Sequence, residues 1–283
     1  STKFASSIDL NKEKRSSLES VGHNVVKVDM DDKITGKAKY GSDIQPDGVL
    51  HAVVVRSKYV HAVIKSIDTS VAESIEGVTA IVTRDQLLGQ FDNRVRYYGD
   101  VIAAVAATTH ELAIKAAESI IATLEPLPSI HDPKKAMRSG SPKVHDVNNP
   151  NFGQHGRHEF VVENSEYIQN IDDYHYVNIG DVEKGFIEAD FIFEHEYVSP
   201  RVNPCNLDTH CTIAEWDGDT VVFTETLGAP SRSRDEIADL LGLPHEKVRV
   251  VMPPVISSSF GARSVPQLSF EPVAATLSRE AGG

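Results

Sequence analysis

Val101-Ile102-Ala103-Ala104-Val105-Ala106-Ala107-Thr108-Thr109-His110-Glu111-Leu112-Ala113-Ile114-Lys115-Ala116-Ala117-Glu118-Ser119-Ile120-Ile121-Ala122-Thr123-Leu124 is the stretch on which the fold turns. Val101 to Ala107 is an apolar run that reads as a strand. Thr109 then caps a helix. Leu112, Ala113, Ala116 and Ala117 fall at helical spacing, with Glu111, Lys115 and Glu118 facing away. Ile120 to Leu124 returns as a strand, and Pro126 and Pro128 end it.

Upstream lie three more strand candidates. Val49 to Val55 is rich in β-branched residues. Ala62 to Ile67 is the second, and Val78 to Val82 is the third. Thr83 follows as the cap of a short helix through Leu88. Strands alternating with short helices give a mixed α/β unit over roughly residues 34–136.

Downstream, Ser139 to Gly180 holds Gly, Pro, Asn and His with little periodicity and reads as a long connection. Its histidines, His145, His155 and His158, lack ligand-like spacing and read as surface residues. Phe191 to Val198 alternates like a strand, with Phe191, Phe193 and His195 on one face. Thr212 to Trp216 and Thr220 to Thr226 flank Asp217-Gly218-Asp219, a hairpin signal. Ser233 caps a helix to Leu241, stopped by Gly242. Val248 to Met252 is a strand leading through Pro253-Pro254 into Ser257-Ser258-Ser259-Phe260-Gly261.

The 283 residues suffice for one large domain or two ordinary ones. A formal net charge of −13 argues against a nucleic-acid partner, which needs clustered Lys and Arg. No apolar run reaches the length of a membrane span, so no membrane role is expected. Ser1 to Glu19 is polar, lacks the apolar core of a signal peptide and reads as a flexible arm. The cytoplasm is the default compartment. Cys205 and Cys211 are the only cysteines. Iron–sulfur clusters generally take four protein ligands, so none is expected in this chain. The two thiols read as a buried, unbonded pair.

Several segments, in order, resemble one family. Asp29-Met30-Asp31-Asp32-Lys33-Ile34-Thr35-Gly36-Lys37-Ala38-Lys39-Tyr40 comes first, then Arg56-Ser57-Lys58-Tyr59-Val60-His61-Ala62 and Ile67-Asp68-Thr69. Val95-Arg96-Tyr97-Tyr98-Gly99 and Leu124-Glu125-Pro126-Leu127-Pro128 follow. The second half adds Gly180-Asp181-Val182 with Ala189-Asp190, and Leu207-Asp208-Thr209-His210. Leu240-Leu241-Gly242-Leu243-Pro244, Lys247-Val248-Arg249-Val250 and Ser259-Phe260-Gly261-Ala262-Arg263 complete the series. Each is weak alone. Together they resemble the N-terminal portion of the molybdopterin-binding large subunit of the xanthine dehydrogenase, aldehyde oxidase and carbon monoxide dehydrogenase family.

The resemblance implies an α+β fold: an α/β hammerhead domain at residues 21–138, a connecting segment at 139–179, and the first part of a molybdopterin-binding domain at 180–283. Residues 1–20 are the flexible arm. It implies an oxidoreductase whose molybdenum is held by a pterin, with the protein positioning and tuning the cofactor. FAD and iron–sulfur clusters are expected on a medium and a small partner subunit rather than on this chain. The C-terminal half of the large subunit is a further expected partner. That half carries the family's general base, so no catalytic residue and no metal ligand is expected here.

The expected cofactor-binding residues are Leu227, Ser257, Ser258, Ser259, Phe260 and Gly261. They depart from the family pattern. Serines replace the loop glycines, so the loop either keeps a glycine-like path under strain or is rebuilt. Leu227 stands where many relatives have a glutamine amide, and it has neither donor nor acceptor. Asp208 replaces a glutamate. Two function classes follow: a component of a molybdenum hydroxylase-type oxidoreductase that is inactive alone, or a catalytically inactive relative serving as an assembly module. A third reading, a serine-based anion nest, lacks the lysine of a P-loop. Asp208 and His210 read as a turn carboxylate and a core or surface histidine. Arg232 and Arg234 read as solvent-facing.

Overall fold

The computed structural model describes residues 22–89, 91–145, 170, 179–200, 202–263 and 270–282. The expected arm at 1–20, most of the connection at 139–179, and His155 and His158 lie outside the described residues. In the N-terminal unit a short helix, α1 (Met30–Ile34), and a 3-10 turn at Gly41–Asp43 precede strands β1 (His51–Arg56) and β2 (Ala62–Asp68). Then come α2 (Ser70–Glu73), β3 (Val78–Thr83), β4 (Arg94–Val95), β5 (Val101–Ala107), α3 (His110–Ser119), β6 (Ile121–Pro126) and α4 (Pro133–Ala136).

β5 explains why its sequence is apolar at every position. It is the central strand of the sheet β1-β5-β3, antiparallel to both neighbours. Ala103 and Val105 pack with Ala116, Ala117 and Ile120 of the α3 region. Val101, Ala104 and Ala106 pack on the opposite side, with Val82, Leu87, Val273 and Leu277. Both faces are covered, so strict alternation is lost. A second sheet, β4-β2-β6, closes over Ala62, Ile64, Val95 and Ile102.

Thr109 caps α3 as expected: its side-chain oxygen accepts from the Leu112 N–H at 3.3 Å. Thr109→Ala should cost about 1 kcal/mol, the usual value of an N-cap hydroxyl. A lowered thermal midpoint with unchanged far-UV circular dichroism would check this.

The C-terminal unit contains α5 (Val182–Glu188), β7 (Thr212–Asp217), β8 (Thr220–Glu225), α6 (Pro230–Leu241), β9 (Val248–Val251) and α7 (Glu271–Ala281). β7 and β8 form the expected antiparallel hairpin, turned by Gly218 at φ 62. β9 runs parallel to β8, with α6 as the crossover. Gly242 stops α6 in the left-handed conformation, φ 68.

Several expectations are corrected. Phe191 to Val198 is no strand. It joins no sheet among the described residues, and Phe191, Ile192, Phe193, Tyr197 and Val198 are all exposed. Periodicity supplied a face but no partner edge. The helix expected from Thr83 to Leu88 is one 3-10 turn, Arg84–Gln86, closed by the Thr83 N–H donating to Gln86 Oε1. The chain then leaves because Arg84 is drawn inward. Its guanidinium bonds Asp100 Oδ1 at 2.8 Å, the Val101 carbonyl and the Asp92 carbonyl. α6 begins at Pro230, not after Ser233: proline suits the first helical position, and Ser233 is buried one turn in. Cys205 is exposed, so the buried thiol pair does not form; both cysteines are free.

Among the helices that the sequence did not lead one to expect, two are the longest, α5 and α7. α5 is capped by Asp181, whose carboxylate accepts from the Lys184 N–H at 2.9 Å. α7 matters more, because it joins the two units. Val273 and Leu277 enter the β5 core, while Ala275 joins Val221, Phe223, Ile237 and Val248 in the second core. Trp216 Nε1 donates to the Ala275 carbonyl, and the Leu88 N–H donates to Thr276 Oγ1. No helix among the described residues is long and apolar enough to cross a membrane.

Candidate cofactor site

Strand direction brings the candidate residues together. β8 and β9 are parallel, so both end on one side of their sheet, and Thr212 at the start of β7 pairs with Glu225 at the end of β8. Three segments therefore converge there: 206–211 before β7, 226–228 after β8 and 252–263 after β9. The carboxyl ends of parallel strands are where open α/β sheets place ligands. The Gly41 turn also abuts these segments. A Cβ there would meet Thr226 Cγ2 at 3.1 Å and Cys211 Cβ at 3.3 Å.

Gly228 permits a close approach of two backbones. Its N–H donates to the Arg263 carbonyl at 2.7 Å, and a Cβ on Gly228 would meet that same oxygen at 3.3 Å. A side chain would thus press the 226–228 exit away from the 252–263 loop.

Asp208 is the hub. It is 8% exposed and pairs with Arg263, which is 0% exposed, through Nη1 to Oδ2 at 2.7 Å. Arg263 Nη2 also donates to the Asp208 carbonyl. The other carboxylate oxygen accepts from the Ser257 N–H at 3.2 Å and from the Ser257 hydroxyl. Asp208 does lie in a bend of the chain, but its carboxylate is buried and paired. Taking two charges out of water is costly, and that cost is offset only by a close partner and further hydrogen bonds of this kind. Arg263 Nε is buried with no partner among the described residues.

The serine loop decides between the two paths that the sequence left open. Ser257, Ser258 and Ser259 have no left-handed backbone; the positive φ angles fall on Phe260 (46°) and Gly261 (88°). The loop is rebuilt so that the serines follow an ordinary path. Phe260 carries the strained step, on the order of 1 kcal/mol for a bulky residue. Its side chain is 81% exposed. Ser258 Oγ bonds Asn206 Oδ1 at 2.9 Å, and Ser259 Oγ accepts from the Arg263 N–H at 3.3 Å.

Leu227 is placed differently from the loop. It is 1% exposed and packs with Val221, Phe223, Ile237 and Leu241. Its side chain belongs to the core beneath the loops. His210 stands beside the ion pair, its ring centroid 6.3 Å from that of Phe270. Burial lowers its pKa, and the Arg263 charge lowers it further against the pull of Asp208. Arg232 and Arg234 face outward and bond Glu236 and Asp235.

Sequence reasoning missed two buried acids. Glu225 ends β8 at 3% exposure, and Glu271 opens α7 at 0%. They hydrogen-bond each other, and burial raises the Glu225 pKa to about 7. A glutamate closing an apolar strand, as in Val221-Val222-Phe223-Thr224-Glu225, was the available signal. Among the described residues no group of three His, Cys, Asp or Glu side chains is arranged to hold a metal ion.

A two-unit α+β protein whose loops converge at parallel strand ends is a candidate cofactor binder by class. Family models define it further. The model described as the a/b hammerhead domain of aldehyde oxidase and xanthine dehydrogenase matches residues 35–128. The model described as the molybdopterin cofactor-binding domain matches 163–283. A probable xanthine dehydrogenase component of Bacillus subtilis is 33% identical over 88% of this chain and 32% of its own length. The nicotinate dehydrogenase large molybdopterin subunit of Eubacterium barkeri is 31% identical over 82% of this chain and 53% of its own. The crystal structure of quinoline 2-oxidoreductase from Pseudomonas putida 86 superposes with a TM-score of 0.74. It covers 92% of this chain and 33% of that one at 20% identity, which speaks to fold alone.

The chain belongs to the xanthine dehydrogenase, aldehyde oxidase and carbon monoxide dehydrogenase family and corresponds to the N-terminal portion of its molybdopterin-binding large subunit. It spans between about a third and about half of the length of those two curated relatives.

Proposed function

We propose that this chain forms part of the large subunit of a molybdenum hydroxylase-type oxidoreductase, and that Ser257 to Gly261 lie against its pterin cofactor. The observation that carries this is the loop itself. Phe260 and Gly261 are turned outward at the strand ends, and a Cβ on Gly261 would meet nothing within 4 Å. Open, left-handed backbone of this kind lets peptide groups approach a bulky anionic ligand. Arg263 Nε, which has no partner among the described residues, adds a buried donor to the same loop. Leu227 does not fit a ligand role, since the core encloses it. When bound, the pterin-held molybdenum supplies the oxidation chemistry, with electrons leaving towards iron–sulfur and flavin groups. This chain's residues bind and orient; Asp208 and Arg263 hold the loop, and Leu227 fills the core below it.

The partners proposed are the remaining portion of the large subunit, an FAD-binding subunit and an iron–sulfur subunit. Co-expressing the chain with that remaining portion and analysing the purified complex for molybdenum and pterin tests the reading. About one molybdenum per complex is expected. A stoichiometric complex free of both metal and pterin overturns it. That outcome would favour the assembly-module reading, which one observation supports: the position after Thr226 is a buried leucine rather than a polar group.

A further inference from the structure

We infer that the hydroxyls of Ser257, Ser258 and Ser259 are positioning groups that pin the loop to the Asn206–Asp208 turn and to Arg263, so that glycine at these positions would loosen the site rather than restore it. The inference rests on reading 257–261 as the cofactor loop. Its physical content stands on the hydrogen bonds alone.

Each of the three hydroxyls is spent on the protein. Ser257 gives its hydroxyl to Asp208 Oδ1 and accepts from the Asp208 N–H at 3.3 Å. Ser258 reaches Asn206 at 2.9 Å. Ser259 receives the Arg263 N–H on its hydroxyl, while its carbonyl takes the Ala262 N–H at 2.9 Å. All three serines are turned towards the body. The two residues turned away, Phe260 and Gly261, are the ones with positive φ. Asp208 ties both ends of the loop together, with one carboxylate oxygen on Ser257 and the other on Arg263.

Glycine would remove these bonds and widen the range of backbone conformations at once. A loop that reaches its path through backbone freedom needs glycine. This one reaches its path through side-chain bonds and keeps ordinary φ at all three positions. The serines are therefore a different solution to holding the loop, rather than damage to it.

Chymotrypsin cleavage after Phe260 in the full chain under native conditions reads the pinning directly. Phe260 is already exposed, so cleavage follows loop opening rather than unfolding. Ser258→Ala should raise the cleavage rate about fivefold, the equivalent of one net hydrogen bond. Ser258→Thr, which keeps the hydroxyl, should return it close to the parent rate. The triple variant Ser257→Gly, Ser258→Gly, Ser259→Gly should be cleaved faster still. Should that variant fail to fold, the Ser258 pair decides, because its partner Asn206 lies outside the ion pair. Unchanged cleavage in Ser258→Ala overturns the inference, and so does failure of threonine to rescue it. In complex with the remaining portion of the large subunit, the triple variant should retain less pterin than the parent. More pterin in the variant would also overturn the inference. Faster cleavage with no pterin in either complex would leave the pinning intact and overturn the cofactor reading instead.

Discussion

Asp208→Ala should destabilise the chain by about 3–5 kcal/mol, the usual cost of removing one member of a buried ion pair. Arg263 has no exposed surface, so its charge would remain in the interior, where the Asp208 backbone carbonyl is the guanidinium's one remaining partner among the described residues. The same substitution removes both bonds of Ser257 to the carboxylate and leaves it only the Asp208 backbone N–H. Asp208→Asn keeps the shape and an acceptor but not the charge, so it should fall between parent and alanine variant. The double variant Asp208→Ala, Arg263→Met should recover much of the loss, because no charge is then stranded. Urea unfolding of the four proteins measures this. A single-variant loss under about 1 kcal/mol would mean that water reaches the pair and that it works like a surface bridge.

That ion pair marks the boundary of what the sequence discloses. β5 and α3 were legible because both depend on local signals: an apolar run, a capping threonine and alanines at helical spacing. The β7–β8 hairpin was legible through its Asp-Gly turn, and the end of α6 through Gly242. Each of these is written within a dozen consecutive residues. Asp208 and Arg263 are 55 positions apart, and no local pattern couples them. Phe191 to Val198 shows the reverse failure. Alternation was present there, but a strand also needs an edge to pair with, and no described residue supplies one. α7 was missed although Gly282 and Pro272 mark its ends, because Glu271 and Thr276 interrupt the apolar pattern. Both are polar residues that the fold buries. Leu227 was legible as a departure from the family pattern, but its place in the core was not, since that depends on α6 and α7 folding over β8.

Glu225 gives the second large effect, in the pH dependence of stability. Its neighbours are Glu271 from α7, Thr212 from β7 and Cys211 just before it; Glu225's charge helps to raise the Cys211 thiol pKa, after burial. Glu271 sits in the first turn of α7, where the helix N-terminus favours an anion. The proton of the pair therefore resides on Glu225. Burial raises its folded pKa from 4.5 to about 7, so the folded chain binds more protons than the unfolded chain between those values. Stability on this account is full below about pH 4.5, falls as pH rises, and levels off above about pH 7. The loss is on the order of 3 kcal/mol. His210 works the other way, since its lowered pKa makes stability rise with pH up to its unfolded value. Comparison with Glu225→Gln separates the two. The amide keeps the shape and can donate to Glu271, but it carries no titrating proton. Between about pH 5 and 8, parent minus variant should become less favourable by a few kcal/mol in urea unfolding. A difference independent of pH would mean that Glu225 is ionised in the folded chain throughout. The interior between β8 and α7 would then have to solvate two carboxylates, which its apolar lining of Val221, Phe223 and Ala275 gives no means to do.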